Sequence, residues 1–215
     1  YHYDFMKIAL NLDRLRKINS NSDHYAYVNI PSFKLKVIKN NSITKEFKVI
    51  VGKTYSPTPE LSSKIENIVA NPYWTVPRSI TFNEFIPKIL KDSLYLQKHG
   101  YTVIDKFQQP VDASKIDWKN VKRGEFNYWI RQPNGSRNAL GVVKFLFPNK
   151  YSVYLHDTQS KKLFKRNVRA YSHGCVRVQN PEELAQCILK DYYTNRNGKE
   201  VDFKRIVQNK DRTEL

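Results

Sequence analysis

The protein has 215 residues, of which 40% are hydrophobic and 27% are charged, and its 37 Lys and Arg residues against 20 Asp and Glu give a formal net charge of +17 at pH 7. This apolar fraction is large enough to form a buried core, so the composition excludes a chain that is disordered throughout. Two cysteines are too few for a disulfide framework, and no apolar run approaches the roughly 18 residues that a membrane span needs.

The first predicted element is an amphipathic helix at the start of the chain. Apolar residues recur there at helical spacing: Phe5, Ile8, Ala9, Leu12 and Leu15. This pattern indicates a helix over about the first 18 residues. We therefore interpret residues 1–20 as a lead-in helix and linker, and residues 21–215 as one domain. Because the chain begins at Tyr1 rather than at a Met, we expect any signal peptide or anchor to lie outside the given residues.

From Tyr25 onward the apolar residues alternate with polar ones, and this period of two predicts β-strands. The first alternating runs are residues 25–27, 33–37 and 47–51. Asn40 and Asn41 lie between the last two runs and tolerate positive φ, which predicts a tight hairpin turn. Residues 71–77 are bracketed by two prolines and are predicted as an edge strand or an irregular crossing. Further strands are predicted at residues 65–69, 126–131, 142–147 and 151–155.

Two more helices are predicted with clear ends. Residues 87–96 carry a helical apolar pattern that stops at Gly100. The later helix begins with Asn180 as its N-cap, Pro181 at the first position and two glutamates in the first turn. After it we predict helical character at residues 201–207 and no further strand. The expected architecture is mainly β with a few helices, an α+β fold.

The segment around Cys175 carries the chemistry. The thiol follows Gly174, which permits a sharp bend that can point the N–H groups of both residues toward a developing oxyanion. A thiol with an ordinary pKa of ~8.5 is only slightly ionised at neutral pH and needs a base. His156 ends an alternating strand and can be held rigidly, whereas His173 lies two residues from the thiol and is better placed to shape the loop. The second cysteine, Cys187, lies on the apolar face of the last predicted helix and is interpreted as a small core residue.

A longer motif surrounds these residues. His156 is followed, after a gap of 15 residues, by Ser-His-Gly-Cys-Val-Arg at residues 172–177. In this pattern the chain resembles the YkuD-type L,D-transpeptidases of bacterial cell walls, whose signature is a His, a gap, Ser or Thr, His, Gly, Cys, a hydrophobic residue and Arg or Asn. The phrases at residues 71–74, 138–141 and 154–170 are similar to those of the YcbB-like branch of this family.

The resemblance implies a fold and a role for each site residue. The fold is an L,D-transpeptidase-like catalytic β-sandwich with an inserted flap within about residues 78–123 of the catalytic domain 21–215. The implied catalytic residues are Cys175, His156, Gly174 and Asp157, the last through the main-chain carbonyl that orients the base. The implied substrate-binding residues are Tyr154, His173, Arg169, Arg177 and Ser172, with the arginines as partners for stem carboxylates. The resemblance implies neither a metal nor a cofactor.

The resemblance also implies an activity. Cys175 attacks the carbonyl of the third residue of a peptidoglycan tetrapeptide stem, releases the terminal D-Ala and passes the acyl group to an amine of another stem, which makes a 3-3 cross-link. The expected partners are therefore peptidoglycan stem peptides, and the expected location is the periplasm or cell envelope. We also expect a monomer with a role in cell-wall biogenesis and cell shape. Its thiol is expected to be acylated by carbapenems.

Three alternatives stay open at the level of sequence. With water as the acceptor, the same cysteine site is that of an L,D-carboxypeptidase or other hydrolase. The charge of +17 is also compatible with a non-catalytic basic module that binds wall polymer or nucleic acid. However, the lysines of residues 33–37 alternate with apolar residues, as on the solvent face of a strand, and we expect no nucleic-acid partner. The two histidines with Cys175 and Asp157 resemble zinc ligands in type, but they lack the paired spacing of common zinc sites.

Overall fold

The computed structural model describes residues 2–16, 22–194 and 201–215. The chain forms two compact units, Tyr1–Lys48 and Val49–Leu215. The fold is mixed α+β and mainly sheet, which confirms the predicted fold class. Among the described residues, no helix is both long enough and apolar enough to cross a membrane.

The first unit contains a helix and an antiparallel sheet. Its elements are α1, His2–Arg16; β1, His24–Asn29; β2, Lys34–Lys39; and most of β3, Ser42–Gly52. Asn40 and Asn41 turn the chain from β2 to β3 with φ of 49° and 59°, which confirms the predicted hairpin. Helix α1 is present as predicted, and the Phe5 and Ile8 side chains on it are exposed. The side chain of Leu15 and the predicted continuation beyond Arg16 lie outside the described residues.

The second unit holds the end of β3 and most of the remaining elements. Its further strands are β4, Asn67–Ala70; β5, Trp74–Thr75; β6, Thr102–Ile104; β7, Pro110–Val111; β8, Trp129–Gln132; β9, Val143–Leu146; β10, Leu155–His156; β11, Ala170–Ser172; β12, Val176–Val178; and β13, Thr213–Glu214. Its α-helices are α2, Arg78–Ile80; α3, Ile86–Lys91; α4, Tyr95–Lys98; α5, Pro181–Thr194; and α6, Phe203–Gln208. A π-helical turn, Thr81–Phe85, joins α2 to α3.

The main sheet of this unit places the candidate site. Its strand order is β12, β10, β9, β4 and β13, with the end of β3 beside β12. Strands β10 and β12 are parallel, with Leu155 opposite Val176 and His156 opposite Arg177. Because parallel strands need a crossover connection, the chain leaves the end of β10 and returns to the start of β12. Cys175, which precedes β12, therefore lies beside Tyr154, which precedes β10.

The predicted strand at residues 151–155 is wrong over most of its length, because only Leu155–His156 are paired as β10. Ser152 has a φ of 55°, which no strand residue adopts. The side-chain amide of Asn149 donates to the carbonyl of Val153 at 2.8 Å and accepts from its N–H at 3.1 Å. The Asn149 side chain thus takes the place of a neighbouring strand, and the segment before β10 becomes a loop.

Residues 74–132 form a second, smaller sheet with the order β5, β8, β6 and β7. Helices α2 to α4 belong to the same segment, which we call the insert. It has an apolar cluster of its own: Val76, Phe85, Ile89, Leu96, Val103 and Ile130. The predicted flap, residues 78–123, lies inside the insert, and its action as a flap stays a prediction.

The predicted helix at residues 87–96 is interrupted. Asp92 is extended, with φ −142° and ψ 101°, and ends α3. Its carboxylate accepts from the N–H of Leu94 at 3.0 Å and from Nζ of Lys98 at 2.7 Å. These bonds stabilise a break that the apolar pattern does not show, because a short Asp side chain competes with helical hydrogen bonding. Gly100, with a φ of 69°, ends the stretch as predicted.

The C-terminal elements complete the sheet edge. Helix α5 begins at the predicted Pro181, and the carbonyl of Asn180 accepts the N–H of Leu184 at 3.4 Å. Phe203 at the start of α6 is fully buried. The prediction of no strand after α5 is wrong, because β13 pairs antiparallel with β4. A strand of two residues is too short to show an alternating pattern.

Candidate active site

Cys175 lies in a tight loop between β11 and β12 and is half-buried. Gly174 has a φ of 115°, a backbone conformation that side-chain-bearing residues rarely adopt. The hydroxyl of Ser172 donates to the carbonyl of Cys175 at 2.5 Å and accepts from the N–H of Gly174 at 3.1 Å. From outside the loop, the hydroxyl of Thr58 donates to the carbonyl of Gly174 at 2.7 Å. The loop that carries the thiol is therefore closed by hydrogen bonds on both sides.

One expectation for this loop differs from the structure and another stays a prediction. Ser172 is 2% exposed and its hydroxyl bonds within the turn, so substrate binding by Ser172 stays a prediction. The N–H of Gly174 was predicted to face an oxyanion, but it donates to Ser172. The physical reason is local: a serine hydroxyl two residues before the glycine is within reach of the N–H that the bend exposes. Cys175 lies outside both strands, so its own N–H is not committed to a strand ladder.

His156 lies on β10 and is 6% exposed. Its Nδ1 lies 2.5 Å from the carbonyl oxygen of Asp157. Because a carbonyl only accepts, Nδ1 carries the proton and Nε2 is left with a free lone pair. Burial lowers the pKa of His156 to about 3, and the positive charge of Arg177 adds to this lowering. The imidazole is therefore neutral at physiological pH and able to accept a proton.

The carboxylate of Asp157 has a separate, structural use. It accepts the N–H of Val142 at 3.0 Å and forms an ion pair with Lys161. Gly141 lies against it so closely that a Cβ at that position would overlap the carboxyl group. These contacts fix the backbone at Asp157, so the carbonyl that meets His156 is held in place.

Tyr154 connects the thiol to the insert. Burial raises the pKa of Tyr154 well above its ordinary value, the neighbouring Cys175 thiol adds to this rise, and the Trp74 side chain acts in the opposite direction. The ring also lies edge-on to the imidazole of His156, with centroids 5.5 Å apart.

The ionisation of Cys175 is set by opposing influences. Burial raises the pKa of the thiol above its ordinary value. A backbone hydrogen bond from Tyr154, the charge of Arg177 and the Tyr154 hydroxyl all act in the opposite direction. Because burial prevails, the resting thiol is protonated, and it needs a base when it reacts.

The two predicted arginines have different environments. Arg177 lies opposite His156 in the sheet, and among the described residues its buried Nε has no hydrogen-bond partner. Burial lowers its pKa. Arg169 is 8% exposed, and its guanidinium donates to the carbonyls of Val49 at 3.1 Å and Arg166 at 2.7 Å. These bonds tie the crossover to β3, and substrate binding by Arg169 stays a prediction.

His173 was predicted to line the site, and its side chain meets the insert. Its Nε2 lies 2.5 Å from Oε1 of Glu84. Glu84, Thr58 and the indole donor of Trp74 are the site residues that sequence reasoning missed or left undecided. The Asn-Pro-Tyr-Trp phrase at residues 71–74 is the one signal that could have marked Trp74. Within the ranges that the structure describes, no group of three or more His, Cys, Asp or Glu side chains is arranged to hold a metal ion.

Comparison with known proteins adds independent information. The sequence matches the YkuD family, described as the L,D-transpeptidase catalytic domain, over residues 23–202. It is 39% identical over 185 residues to a Haemophilus influenzae protein named "Putative L,D-transpeptidase"; the match covers 86% of this chain and 37% of that relative. The chain thus spans little more than one third of the length of this relative.

Solved structures show weaker likenesses. An L,D-transpeptidase from Mycobacterium smegmatis has a TM-score of 0.34 and 12% identity, over 76% of this chain and 52% of that one. L,D-transpeptidase 1 of Mycobacterium tuberculosis has a TM-score of 0.27 and 15% identity, over 81% of this chain and 56% of that one. The family assignment therefore rests on the sequence match across residues 23–202, and on that basis the chain belongs to the YkuD family of L,D-transpeptidase catalytic domains.

Proposed function

We propose that the protein is a cysteine acyltransferase that makes 3-3 cross-links between peptidoglycan stem peptides. The observation that carries this proposal is the arrangement at two parallel strands: a half-buried Cys175 thiol at the register position of Tyr154 and, two residues beyond Tyr154 on β10, a neutral His156 oriented by a backbone carbonyl. A nucleophile, a base and a group that orients the base are the minimum for thiol acyl transfer. Membership of the YkuD family supports the choice of substrate.

In the first half of the reaction, Cys175 is acylated. Nε2 of His156 accepts the thiol proton while the sulfur attacks the carbonyl of the third stem residue. The Asp157 carbonyl stabilises the imidazolium through Nδ1–H, and the Tyr154 hydroxyl stabilises the thiolate as it forms. The N–H of Cys175 is the backbone donor that we assign to the oxyanion. His156 then gives its proton to the amine of the departing D-Ala, which leaves a thioester.

In the second half, the amine of another stem attacks the thioester. His156 accepts a proton from this amine and returns it to the sulfur, so the enzyme ends in its starting state. Water competes with the amine at ~55 M, and an oriented acceptor can reach effective molarities of about 10⁵ M or more. The insert meets the loop that carries Cys175 through Glu84 and His173, and we propose that the insert orients the acceptor and excludes water.

The charge of the chain supports an anionic substrate. A formal net charge of +17 favours encounter with a polymer that carries carboxylates. Arg177, with its unpartnered buried Nε among the described residues, is the cation that we propose meets a stem carboxylate next to the thiol. The substrate also sets the location that we propose, the periplasm or cell envelope, and the working unit that we propose is a monomer.

Product analysis tests this function. Purified protein is incubated with tetrapeptide-stem muropeptides, and the products are identified by mass spectrometry. We expect dimers joined between third residues, with release of D-Ala and complete loss of both products in Cys175→Ala. Tripeptide monomers alone would favour the hydrolase. Tight binding of wall polymer without any change in the stems, in Cys175→Ala as in wild type, would favour the basic binding module.

A further inference from the structure

The insert contacts the loop that carries Cys175 through two side chains that take part in no chemical step of the proposed mechanism. Oε1 of Glu84 lies 2.5 Å from Nε2 of His173, and each side chain is 38% exposed. Glu84 belongs to the π-helical turn of the insert, whereas His173 lies two residues before Cys175. The contact therefore joins two segments that are 89 residues apart in the chain.

The backbone that carries Glu84 is held in place by packing. The next residue, Phe85, is 4% exposed and packs edge-on against Tyr101 with ring centroids 4.9 Å apart. The rings of Trp74 and Phe85 also pack edge-on, with centroids 6.3 Å apart. A π-helical turn holds one residue more than an α-turn, and such turns are frequent at functional sites. The Glu84 carboxylate thus extends from a turn that Phe85 anchors in the apolar cluster of the insert.

The loop that carries His173 and Cys175 is equally constrained. Ser172 and Thr58 close it through hydrogen bonds to Gly174 and Cys175. A loop this short and this bonded moves as a unit, so a force on His173 is transmitted to Cys175. The insert therefore meets the loop of the nucleophile through the contact between Glu84 and His173.

We propose that Glu84 is a positioning residue for Cys175, which it acts on by holding His173. With the contact in place, the sulfur and the N–H of Cys175 keep the geometry that attack on a carbonyl needs. Without it, the loop samples other geometries, and the rate of the chemical step falls while substrate affinity stays the same. This inference rests on the proposed function, since it assigns a partner to the same nucleophile.

The test compares Glu84→Ala, Glu84→Gln, His173→Ala and the double variant Glu84→Ala/His173→Ala. The matched control is Glu125→Ala, which removes an exposed carboxylate of the insert that pairs with the surface residue Lys122 at 3.6 Å. Acylation by a carbapenem is followed by intact mass, and its concentration dependence separates the maximal rate from the half-saturating concentration. In parallel, iodoacetamide alkylation of Cys175 and amide hydrogen exchange of residues 172–178 are measured.

We expect Glu84→Ala to lower the maximal acylation rate roughly 3- to 30-fold, the range spanned by exposed and charge-assisted hydrogen bonds, with the half-saturating concentration unchanged. Glu84→Gln keeps an acceptor oxygen and should recover most of the rate. Glu84→Ala should cause no further loss in the His173→Ala background, and it should speed amide exchange of the loop. Glu125→Ala should match wild type in every measurement.

Three outcomes would overturn the proposal. The first is a change in the half-saturating concentration alone, which would make Glu84 a substrate contact. The second is an additive loss in the double variant, which would separate Glu84 from His173. The third is loop exchange and alkylation equal to wild type in Glu84→Ala. A wild-type protein that no carbapenem acylates would instead contradict the proposed function, and the exchange and alkylation measurements would still decide the role of Glu84.

Discussion

At the scale of single residues, the main feature is the Cys175 thiol, whose surroundings act on its pKa in opposite directions. Burial raises the pKa of Cys175, while hydrogen bonds from Tyr154 and the charge of Arg177 lower it. A thiol in this state is protected when no substrate is present and is activated when a base accepts its proton.

The two cysteines should respond differently to substitution. Cys175→Ala should abolish acylation by a carbapenem, because it removes the nucleophile, and should leave the fold intact because the residue lies in a surface loop. Cys187→Ser should retain acylation and lose stability, because the half-buried position on α5 receives a hydroxyl. Intact-protein mass after incubation measures acylation of both variants, and urea unfolding measures their stability. An adduct carried by Cys187 would contradict the assignment.

Removing the Tyr154 hydroxyl should make the thiol harder to ionise. Its O–H lowers the pKa of Cys175, so in Tyr154→Phe the profile of alkylation rate against pH should shift to higher pH. At neutral pH we expect alkylation to slow roughly 10-fold, the effect of one hydrogen bond to a charged acceptor. Iodoacetamide kinetics in a Cys187→Ser background measure this, with Tyr151→Phe as the exposed control. An unmoved profile would remove Tyr154 from this role.

His156 should act as the base and also make stability depend on pH. His156→Ala should slow acylation by about 10²–10⁴-fold, the usual contribution of a positioned base. In the folded protein the pKa of His156 falls from 6.5 to about 3, so between these values only the unfolded chain binds the proton. The free energy of unfolding should therefore fall as the pH falls through this window.

His156→Gln isolates this effect, because glutamine does not titrate. Urea unfolding at several pH values between 7 and 4 should show a smaller loss of stability in His156→Gln than in wild type. The exposed His99 provides the control, and His99→Gln should keep the wild-type dependence. Equal slopes in all three proteins would show that His156 is not the buried neutral group.

At the scale of elements, the crossover between β10 and β12 helps the strands to hold His156 in place. Asp157 opens this connection and is fixed by Val142 and Lys161. Gly141, with a φ of 60°, completes the packing because it leaves room for the carboxyl group. A substitution at Gly141 should therefore shift Asp157, and with it the carbonyl that orients His156.

Gly141→Ala should disturb both stability and activity. The Cβ of the alanine would overlap the Asp157 carboxyl group, and the residue would have to keep a φ that is unfavourable for alanine. We therefore expect a loss of roughly 2–4 kcal/mol in the free energy of unfolding. Acylation should slow as well, because the carbonyl that orients His156 moves with Asp157. Gly124→Ala is the matched control, since no atom lies within 4 Å of its Cβ. Wild-type behaviour in Gly141→Ala, measured by urea unfolding and acylation, would contradict this account.

At the scale of the whole molecule, charge should control how the substrate is captured. A chain with a net charge of +17 attracts anionic stems over distances that salt shortens. Raising the ionic strength from ~0.05 M to ~0.5 M should therefore raise the KM for muropeptides several-fold. The rate of alkylation by neutral iodoacetamide should change little. A KM that is independent of salt would show that capture depends on close contacts alone.

The sequence by itself determined the family resemblance, the hairpin at Asn40 and Asn41, the start of α5 and the identity of the candidate nucleophile and base. These features are readable because each depends on neighbours close in the chain: a turn that tolerates positive φ, a cap followed by proline, and a compact motif. The mainly β architecture follows in the same way from the alternation of apolar residues.

Only the tertiary structure decided what the other motif residues contact. Ser172 and Arg169 bond to the backbone, and the Gly174 N–H stays within its loop. Glu84 reaches His173 across 89 positions of the chain, and β13 finds its partner in β4. Such pairings arise when distant segments pack, and a hydrogen-bonding side chain has the same appearance in a sequence whether it meets a substrate, a carbonyl or another side chain. Spacing along the chain thus identifies the chemistry available, while packing determines which groups meet to use it.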